Sequence, residues 1–455
     1  MIETVNPATG ETLDRHAYST ETEVESALER AVQARSDWCR RSPGERADVL
    51  SRIARVLERR RDEDALLITR EMGKPLDQSA GEIDKSIWVC DHYVERGPSL
   101  LQPETVLDAP GDPLVQVRPD PLGTILAIMP WNLPFWQVFR FAAPNLVAGN
   151  TIVLKHALNV SGSAMAIRDI MEEAQVPPGV FEVLFLPDPG TEGLIADPRI
   201  SAVTLTGSVR AGRAVAAAAG KVVKRVGLEL GGSDPFIVLD DADLDLAARV
   251  GAKARLFVGG QSCIAAKRFV VQRSIAAEFR DRLVEEMSTY IVGDPEAAGT
   301  NIGPLARRDI LEGLSAQVAA TRAAGATAVL GGERLDGPGF YYPPTLLTDV
   351  APDSAAAIEE LFGPAAALLI GDDERELVEL ANATPYGLGC SIFSEDRERA
   401  VAMAPEIDAG NVFVNGMVRS DPRVPFGGVK DSGYGRELGD LGIHEFVNMK
   451  SVWVE

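Results

Sequence analysis

Thr124-Ile-Leu-Ala-Ile-Met129, Pro130-Trp-Asn-Leu-Pro134 and Thr151-Ile-Val-Leu154 are the residues whose reading decides the fold. The first and last are short apolar runs without polar alternation, as in strands buried on both faces. Between them, after Pro134, lies a stretch of helical character. Strand, helix, strand in that order is the parallel crossover unit of an α/β sheet.

The alternation continues downstream. A helix over Ser163 to Glu173, the turn Pro177-Pro178-Gly179, a strand from Val180 to Leu186 and a strand from Ile200 to Leu205 lead to Thr206-Gly-Ser208. After Glu229 the pattern restarts: strand Pro235 to Leu239, helix Leu244 to Phe257, strand Arg268 to Val271, helix Ala276 to Tyr290. This restart predicts a second α/β domain with its own doubly wound sheet. Upstream, residues 22–70 read as amphipathic helices. Thr22 or Glu21 opens the first, with Val24, Ala27, Leu28 and Val32 at helical spacing. The second follows Ser42-Pro43 and carries Val49, Leu50, Ile53, Val56 and Leu57. Leu114-Val-Gln-Val-Arg118 reads as an exposed strand between turns at Pro110/Pro113 and Pro119/Pro121, suited to an oligomer's arm.

The 455 residues suffice for two or three domains, and the net charge is −22. So acidic a chain repels phosphate backbones and anionic bilayers, so neither nucleic acid nor membrane is an expected partner. The simpler reading of the charge is solubility. Either way, an anionic cofactor must be held by local positive groups. Cys39, Cys90, Cys263 and Cys390 form no CxxC pair, and His16, His92, His156 and His444 are scattered. No metal site is expected, and the thiols fit a reduced, cytoplasmic protein. Met1-Ile-Glu-Thr-Val-Asn6 has no secretory pattern. The most apolar stretch, Ile125 to Phe141, is broken by Pro130, Asn132 and Pro134, short of the roughly 18 residues of a membrane helix.

Four stretches carry chemistry. Gly260-Gln-Ser-Cys263 puts a cysteine on a glycine-preceded turn, where its sulfur is presented and its N–H is free; alone, it also reads as a small core residue. Glu229-Leu-Gly-Gly232 ends a strand with a carboxylate suited to general base work, or to capping a helix. Asn132 suits an oxyanion donor beside the Cys263 N–H, or the N-cap of the following helix. Thr206-Gly207-Ser208 opens a helix whose amides suit a pyrophosphate. Gly433-Tyr-Gly435-Arg-Glu-Leu-Gly439 imitates a dinucleotide fingerprint, but with no βαβ unit after it reads as a decoy.

Together and in this order these stretches resemble the aldehyde dehydrogenase superfamily. The resemblance runs from Asn6-Pro-Ala-Thr-Gly-Glu11 almost to the C-terminus. It takes in Glu71-Met-Gly-Lys-Pro75, Leu154-Lys155, Glu359-Glu-Leu-Phe-Gly-Pro364 and Pro425-Phe-Gly-Gly-Val-Lys-Asp-Ser-Gly433. Lys155-His-Ala-Leu-Asn159 and Ser420-Asp-Pro-Arg423 are most similar to its bacterial succinate-semialdehyde dehydrogenase branch.

The resemblance implies two doubly wound Rossmann-like domains and a small β oligomerisation arm. Residues 1–106 and 125–228 would bind NAD or NADP, 229–427 would be catalytic, and 107–124 with 428–455 would form the arm of a homodimer or homotetramer. By resemblance Cys263 is the nucleophile, Glu229 the general base and Asn132 the oxyanion donor. Lys155, Gly207, Ser208, Trp131, Glu360 and Phe362 would contact the cofactor. The implied reaction oxidises a small aldehyde to an acid through a thiohemiacetal and thioester on Cys263, with hydride passing to the nicotinamide. The chain departs from the family in two places. Leu158 stands where many relatives have a ribose-binding Glu, which permits NADP without adding an obvious phosphate ligand. Val258 and Gly259 stand where relatives often have Asn.

For the substrate, Trp136 and Arg140 share a helix face, and an Arg in so apolar a segment needs an anionic partner. That partner is a substrate carboxylate, with Ser420 adding a hydroxyl, or a neighbouring group of the chain. The first choice predicts succinate semialdehyde. One succinate-semialdehyde group has an Arg six residues before the nucleophile, where this chain has Phe257. Phe135, Trp136 and Phe257 would also suit apolar or aromatic aldehydes, and the remaining rival is a non-catalytic protein on the same fold.

Overall fold

Two capping boxes start the N-terminal helices. The Thr20 hydroxyl accepts from the Glu23 N–H while Glu23 accepts from the Thr20 N–H, and Ser42 and Glu45 repeat the exchange. In the computed structural model, which describes residues 1–108 and 112–455, these boxes open α1 (Glu21–Trp38) and α2 (Pro43–Met72). α1 thus opens at Glu21, one of the two expected residues, with Thr20 as its cap. The expected apolar stripe of α2 is buried from Val49 to Leu57. Before these helices, β1 (Ile2–Val5) and β2 (Thr12–His16) form a hairpin. After them, α3 (Leu76–Leu100) packs along α2.

A small sheet and two large ones follow. β3 (Glu104–Leu107) and β4 (Leu114–Pro121) precede β5 (Thr124–Met129), α4 (Trp136–Ala148), β6 (Thr151–His156), α5 (Ser161–Glu173) and β7 (Phe181–Val183). Next come α6 (Thr191–Ala196), β8 (Ile200–Thr206), α7 (Val209–Lys221) and β9 (Arg225–Glu229). The second large sheet starts with β10 (Asp234–Val238), α8 (Leu244–Leu256) and β11 (Ala266–Gln272), and adds β12 (Thr327–Leu330), β13 (Thr345–Thr348), β14 (Ala365–Gly371), β15 (Gly389–Phe393) and β16 (Asn411–Val414). β17 (Gly433–Tyr434) and β18 (Val447–Val454) complete the chain's strands.

The first large sheet has the order β17-β9-β8-β5-β6-β7, the second β12-β13-β14-β11-β10-β15-β16. Both are parallel except at the edge pairs β17–β9 and β12–β13. β5 pairs in parallel with β6 on one side and β8 on the other, so the winding reverses there. Ligands of open α/β sheets sit beyond the carboxyl ends of the strands at such a switch point.

The small sheet is narrower than the expected arm. β18 pairs with all of β4, and β3 pairs with β4 only as far as Val117. Residues between Gly428 and Phe446 do not join it: β17 adds to the first large sheet, and Ile443 and Phe446 enter the main core. Pro119 and Pro121, expected in a turn, lie inside β4, where β3 no longer reaches and proline is tolerated at an open edge. The turn expected at Pro110 lies outside the described residues. The strand expected over Val180 to Leu186 is only the three residues of β7, at the sheet's edge. Among the described residues no helix is long and apolar enough to cross a membrane, and no cluster of His, Cys, Asp or Glu could hold a metal ion.

Two buried acids tie the helical layer to the first sheet. Glu71, in α2, accepts from the Gly162 and Ser163 amides at the start of α5 and from the Ser163 hydroxyl, at 2.7–2.8 Å. Glu82, in α3, accepts from the Phe135 and Trp136 amides at the start of α4, at 2.7 and 2.9 Å. Its other oxygen pairs with Lys74, and both side chains are buried. Gly73 turns the chain between α2 and Lys74 at φ +83°, where a Cβ would strike Pro304 and Pro7. Lys74→Met or Glu82→Gln each leaves a buried charge without its counter-ion, a loss of about 3–5 kcal/mol. The double variant should lose less than the sum of the two in thermal unfolding. Additive losses would show that the two charges are not coupled.

Candidate active site

Cys263 follows a turn that few residue types can make. After α8, Val258, Gly259 and Gly260 take φ of 58°, 59° and 72°. Gly260 has no room for a side chain, because a Cβ would strike the Gly363 carbonyl. Val258 is β-branched and strained in this left-handed region, at a cost of order 1–3 kcal/mol. Its side chain packs against Met72, Ala306, Trp131 and Leu133, which holds it there. Asn accepts such a φ more readily than Val, which accounts physically for the family's preference at this point. The turn is pinned further by Arg255 donating to the Gly260 carbonyl (2.5 Å) and by the Ala306 amide donating to Gln261 Oε1 (2.9 Å). Lys267 Nζ donates to the carbonyls of Ser262 (2.8 Å) and Cys263 (2.7 Å). Burial pushes the Cys263 thiol up to about 12, against the pull of the Lys267 and Arg140 cations.

Asn132 does not cap α4. Glu82 caps that helix instead, and Asn132 Nδ2 donates to the Gln261 carbonyl at 3.0 Å, two residues from Cys263. An amide held there keeps a second N–H for an oxyanion. Glu229 ends β9, is buried, and has one carboxylate oxygen without a hydrogen-bond partner. Burial raises its pKa well above the usual carboxylate range; Glu437 adds to the rise and Arg140 opposes it. A carboxylate so raised is a strong base when ionised.

The expected cofactor residues fall into two groups. Lys155 Nζ pairs with Asp188 at 2.9 Å on the rim of a cavity of about 400 Å³. Ile128 and Leu205, at the ends of β5 and β8, form its floor, and α7 forms a wall with Arg210, Ala211 and Ala214. Gly207 and Ser208 lead into α7, and the Ser208 hydroxyl accepts from the Ala211 amide at 3.3 Å. A cavity at the switch point, with a lysine and a helix N-terminus, fits an adenosine diphosphate. Arg210 is a second cation there, which the sequence reading did not single out. Leu158 turns away and packs with Ile2 and Phe185. Closer to Cys263, Trp131 and Phe362 meet edge to face at 5.7 Å. Glu360 accepts from the Gly232 amide (3.0 Å) and lies 3.6 Å from Lys267.

The substrate residues changed most. Arg140 was expected to meet a substrate carboxylate or a neighbouring group, and the structure supplies the neighbour: Arg140 is ion-paired with Glu437 and stacked over Phe426. Its need for an anion is met inside the chain. Glu437 belongs to the stretch read as a decoy; the stretch is indeed no dinucleotide loop, but it carries this acid. Trp136 and Ser420 do come together, around a residue not foreseen. Lys85 Nζ, from α3, donates to Ser420 Oγ at 2.8 Å and lies 4.2 Å from the Trp136 ring centroid. The only signal was its place five residues before Cys90 on an amphipathic helix, which marks no function.

Residues 1–452 match the family model described as the aldehyde dehydrogenase family. The chain belongs to this family. A probable NADP(+) succinate-semialdehyde dehydrogenase of Synechocystis sp. is 49% identical, with 100% of this chain and 99% of that protein aligned. The NAD(P)+ succinate semialdehyde dehydrogenase of Escherichia coli is 46% identical, over 99% and 97%. A crystal structure of the Streptococcus pyogenes succinic semialdehyde dehydrogenase with NADP+ superposes at a TM-score of 0.97, with 36% identity and full coverage of both chains. The fold of this aldehyde dehydrogenase is therefore the family's, as expected. Its buried thiol has a measurable consequence. In a Cys39→Ser background, alkylation of Cys263 by iodoacetamide should rise roughly tenfold per pH unit up to about pH 10, because the reactive thiolate is still the minor form there. A plateau near about 8.5, the ordinary thiol value, would contradict this.

Proposed function

We propose that this aldehyde dehydrogenase oxidises succinate semialdehyde to succinate in the cytoplasm, using NADP or NAD. The relatives' shared substrate, over their whole length, carries the reading. The polar end of the site formed by Trp136 and Ser420 supports it.

In this proposal Glu229 takes the Cys263 thiol proton and passes it to solvent, the thiolate attacks the aldehyde carbon, and the resulting oxyanion is held by the free N–H of Asn132 Nδ2 and by the Cys263 amide. Lys267, holding the Ser262 and Cys263 carbonyls, keeps that amide oriented. Lys155, the start of α7 at Gly207 and Ser208, Trp131, Glu360 and Phe362 would hold the cofactor, with Arg210 beside Lys155 for a ribose phosphate. When bound, the cofactor supplies the hydride acceptor. Collapse of the oxyanion leaves a thioester on Cys263. Glu229 then takes a proton from water, the hydroxide adds to the thioester, and the acid leaves as the sulfur is freed.

The domain reading follows the sheets: the first large sheet binds the cofactor, the second carries Cys263, and the small sheet is the arm of a homodimer or homotetramer. Val106, Met449, Trp453 and Val454 leave large apolar side chains exposed on that arm, as an interface requires.

The test is reduced-nicotinamide absorbance with succinate semialdehyde and butanal, each with NAD and NADP. We expect kcat/KM for succinate semialdehyde to exceed that for butanal by about tenfold or more, the scale of a buried charge contact, and Cys263→Ala to abolish turnover. Equal or better use of butanal would keep the mechanism and overturn the substrate.

A further inference from the structure

We propose that Lys267 is a positioning residue shared by the two halves of the reaction: one buried ammonium holds the turn that carries Cys263 and also balances Glu360, the acid that meets the cofactor. The inference rests on the cofactor reading above, in which Glu360 contacts the cofactor, and adds a coupling between that contact and the nucleophile.

Close packing brings the two together. Glu229-Leu-Gly-Gly232 lets two other segments approach it because its last two residues have no side chains. A Cβ on Gly231 would meet Glu360 Oε2 at 2.3 Å, and one on Gly232 would meet the Cys263 carbonyl at 2.6 Å. Lys267, the second residue of β11, reaches both segments from a fully buried position. Its Nζ donates to the carbonyls of Ser262 (2.8 Å) and Cys263 (2.7 Å) and lies 3.6 Å from Glu360 Oε1. That is the single ion pair of Glu360 among the described residues. The same Oε1 accepts from the Gly232 amide at 3.0 Å. Oε2 makes no hydrogen bond among the described residues, which leaves it to a ligand's hydroxyl.

No neighbouring cation could take over this double role. The groups facing Lys267 are Glu360 in the loop before β14, Arg255 on α8, Asp234 at the start of β10 and Cys263 itself. Arg255 holds the Gly260 carbonyl and pairs with no acid. Arg268 spends its donors on the carbonyls of Ser233, Leu380 and Ala381. The electrostatics follow from this placement. Burial pushes the Cys263 thiol up, Lys267 opposes that more than any other group, and Glu360 adds to it. Burial also pushes Glu360 up, and again Lys267 is the main opposing charge. Without the ammonium, Glu360 is a buried acid with no counter-ion and takes a proton. The thiol then loses its nearest cation and the cofactor loses an ionised acceptor at one stroke. Without the Glu360 charge, the ammonium acts on Cys263 unopposed. Removing both must therefore equal removing Lys267 alone.

The experiment compares Lys267→Met, Glu360→Gln, the double variant and Lys267→Arg, all in the Cys39→Ser background. It reads the rate at which iodoacetamide alkylates Cys263 in the cofactor-free enzyme at about pH 9, and the Kd of NADP+ by calorimetry. Far-UV circular dichroism and Tm confirm that the variants fold. Lys267→Met should slow alkylation about threefold or more, Glu360→Gln should speed it by about as much, and adding Glu360→Gln to Lys267→Met should change it less than about twofold. The Kd of NADP+ should rise about fivefold or more in each single variant, and the double variant should be no weaker than either. Lys267→Arg keeps the charge and should recover most of both effects. If Glu360→Gln weakens NADP+ binding and Lys267→Met does not, or if Glu360→Gln changes alkylation equally in both backgrounds, the coupling is overturned and the cofactor contact stands. If Glu360→Gln leaves the Kd unchanged, the cofactor contact at Glu360 falls and the inference falls with it. Should Lys267→Met fail to fold, Glu360→Gln decides alone: alkylation no faster than in its parent overturns the shared charge.

Discussion

The carboxylate of Glu82 sits where three elements meet. One oxygen caps α4 through the Phe135 and Trp136 amides, and the other pairs with Lys74 just after α2. The opening of α4 has no side-chain cap of its own, so its amides would otherwise be buried donors without acceptors. An anion at a helix N-terminus is favoured by the helix dipole, and the lysine gives it a counter-ion in a dry place. The position of α4 thus follows from the helical hairpin beneath it. Asn132, Trp136 and Arg140 all hang from α4 or the loop that enters it. Glu71 does the same for α5, so the Glu71-Met-Gly-Lys-Pro75 motif is a structural device that acts on the site from below.

Burial shapes the chemistry as much as the residue types do. The Cys263 thiol and the Glu229 carboxyl both sit where their charged forms are disfavoured. Burial thus raises the cost of charging either Cys263 or Glu229. The cations around it, Lys267 and Arg140, are set to favour negative charge once it develops.

What could be read from the sequence was whatever depends on local pattern. The strands from Thr124 and Thr151, the restart after Glu229, and the Gly260-Gln-Ser-Cys263 turn are periodicity and turn chemistry, and the structure has them. The adverse position of Val258 was visible as a departure, but its meaning needed the backbone angle of 58°. Pairings across long sequence gaps were not legible. Lys85 and Ser420 are 335 residues apart, and nothing in either neighbourhood announces the other. Glu437 was hidden differently: its stretch was weighed only as a phosphate loop, and a carboxylate that fails that pattern can still balance a buried arginine. The N-cap alternative for Asn132 was closed by a third party, because Glu82 from another helix took the cap.

The Arg140–Glu437 pair changes what α4 contributes. Burial raises the pKa of both Glu229 and Glu437, and Glu437 adds to the rise at Glu229. Arg140 lowers both. It therefore offsets part of the rise that burial imposes on Glu229. Drawing Arg140 off Glu437 would let both acids rise further.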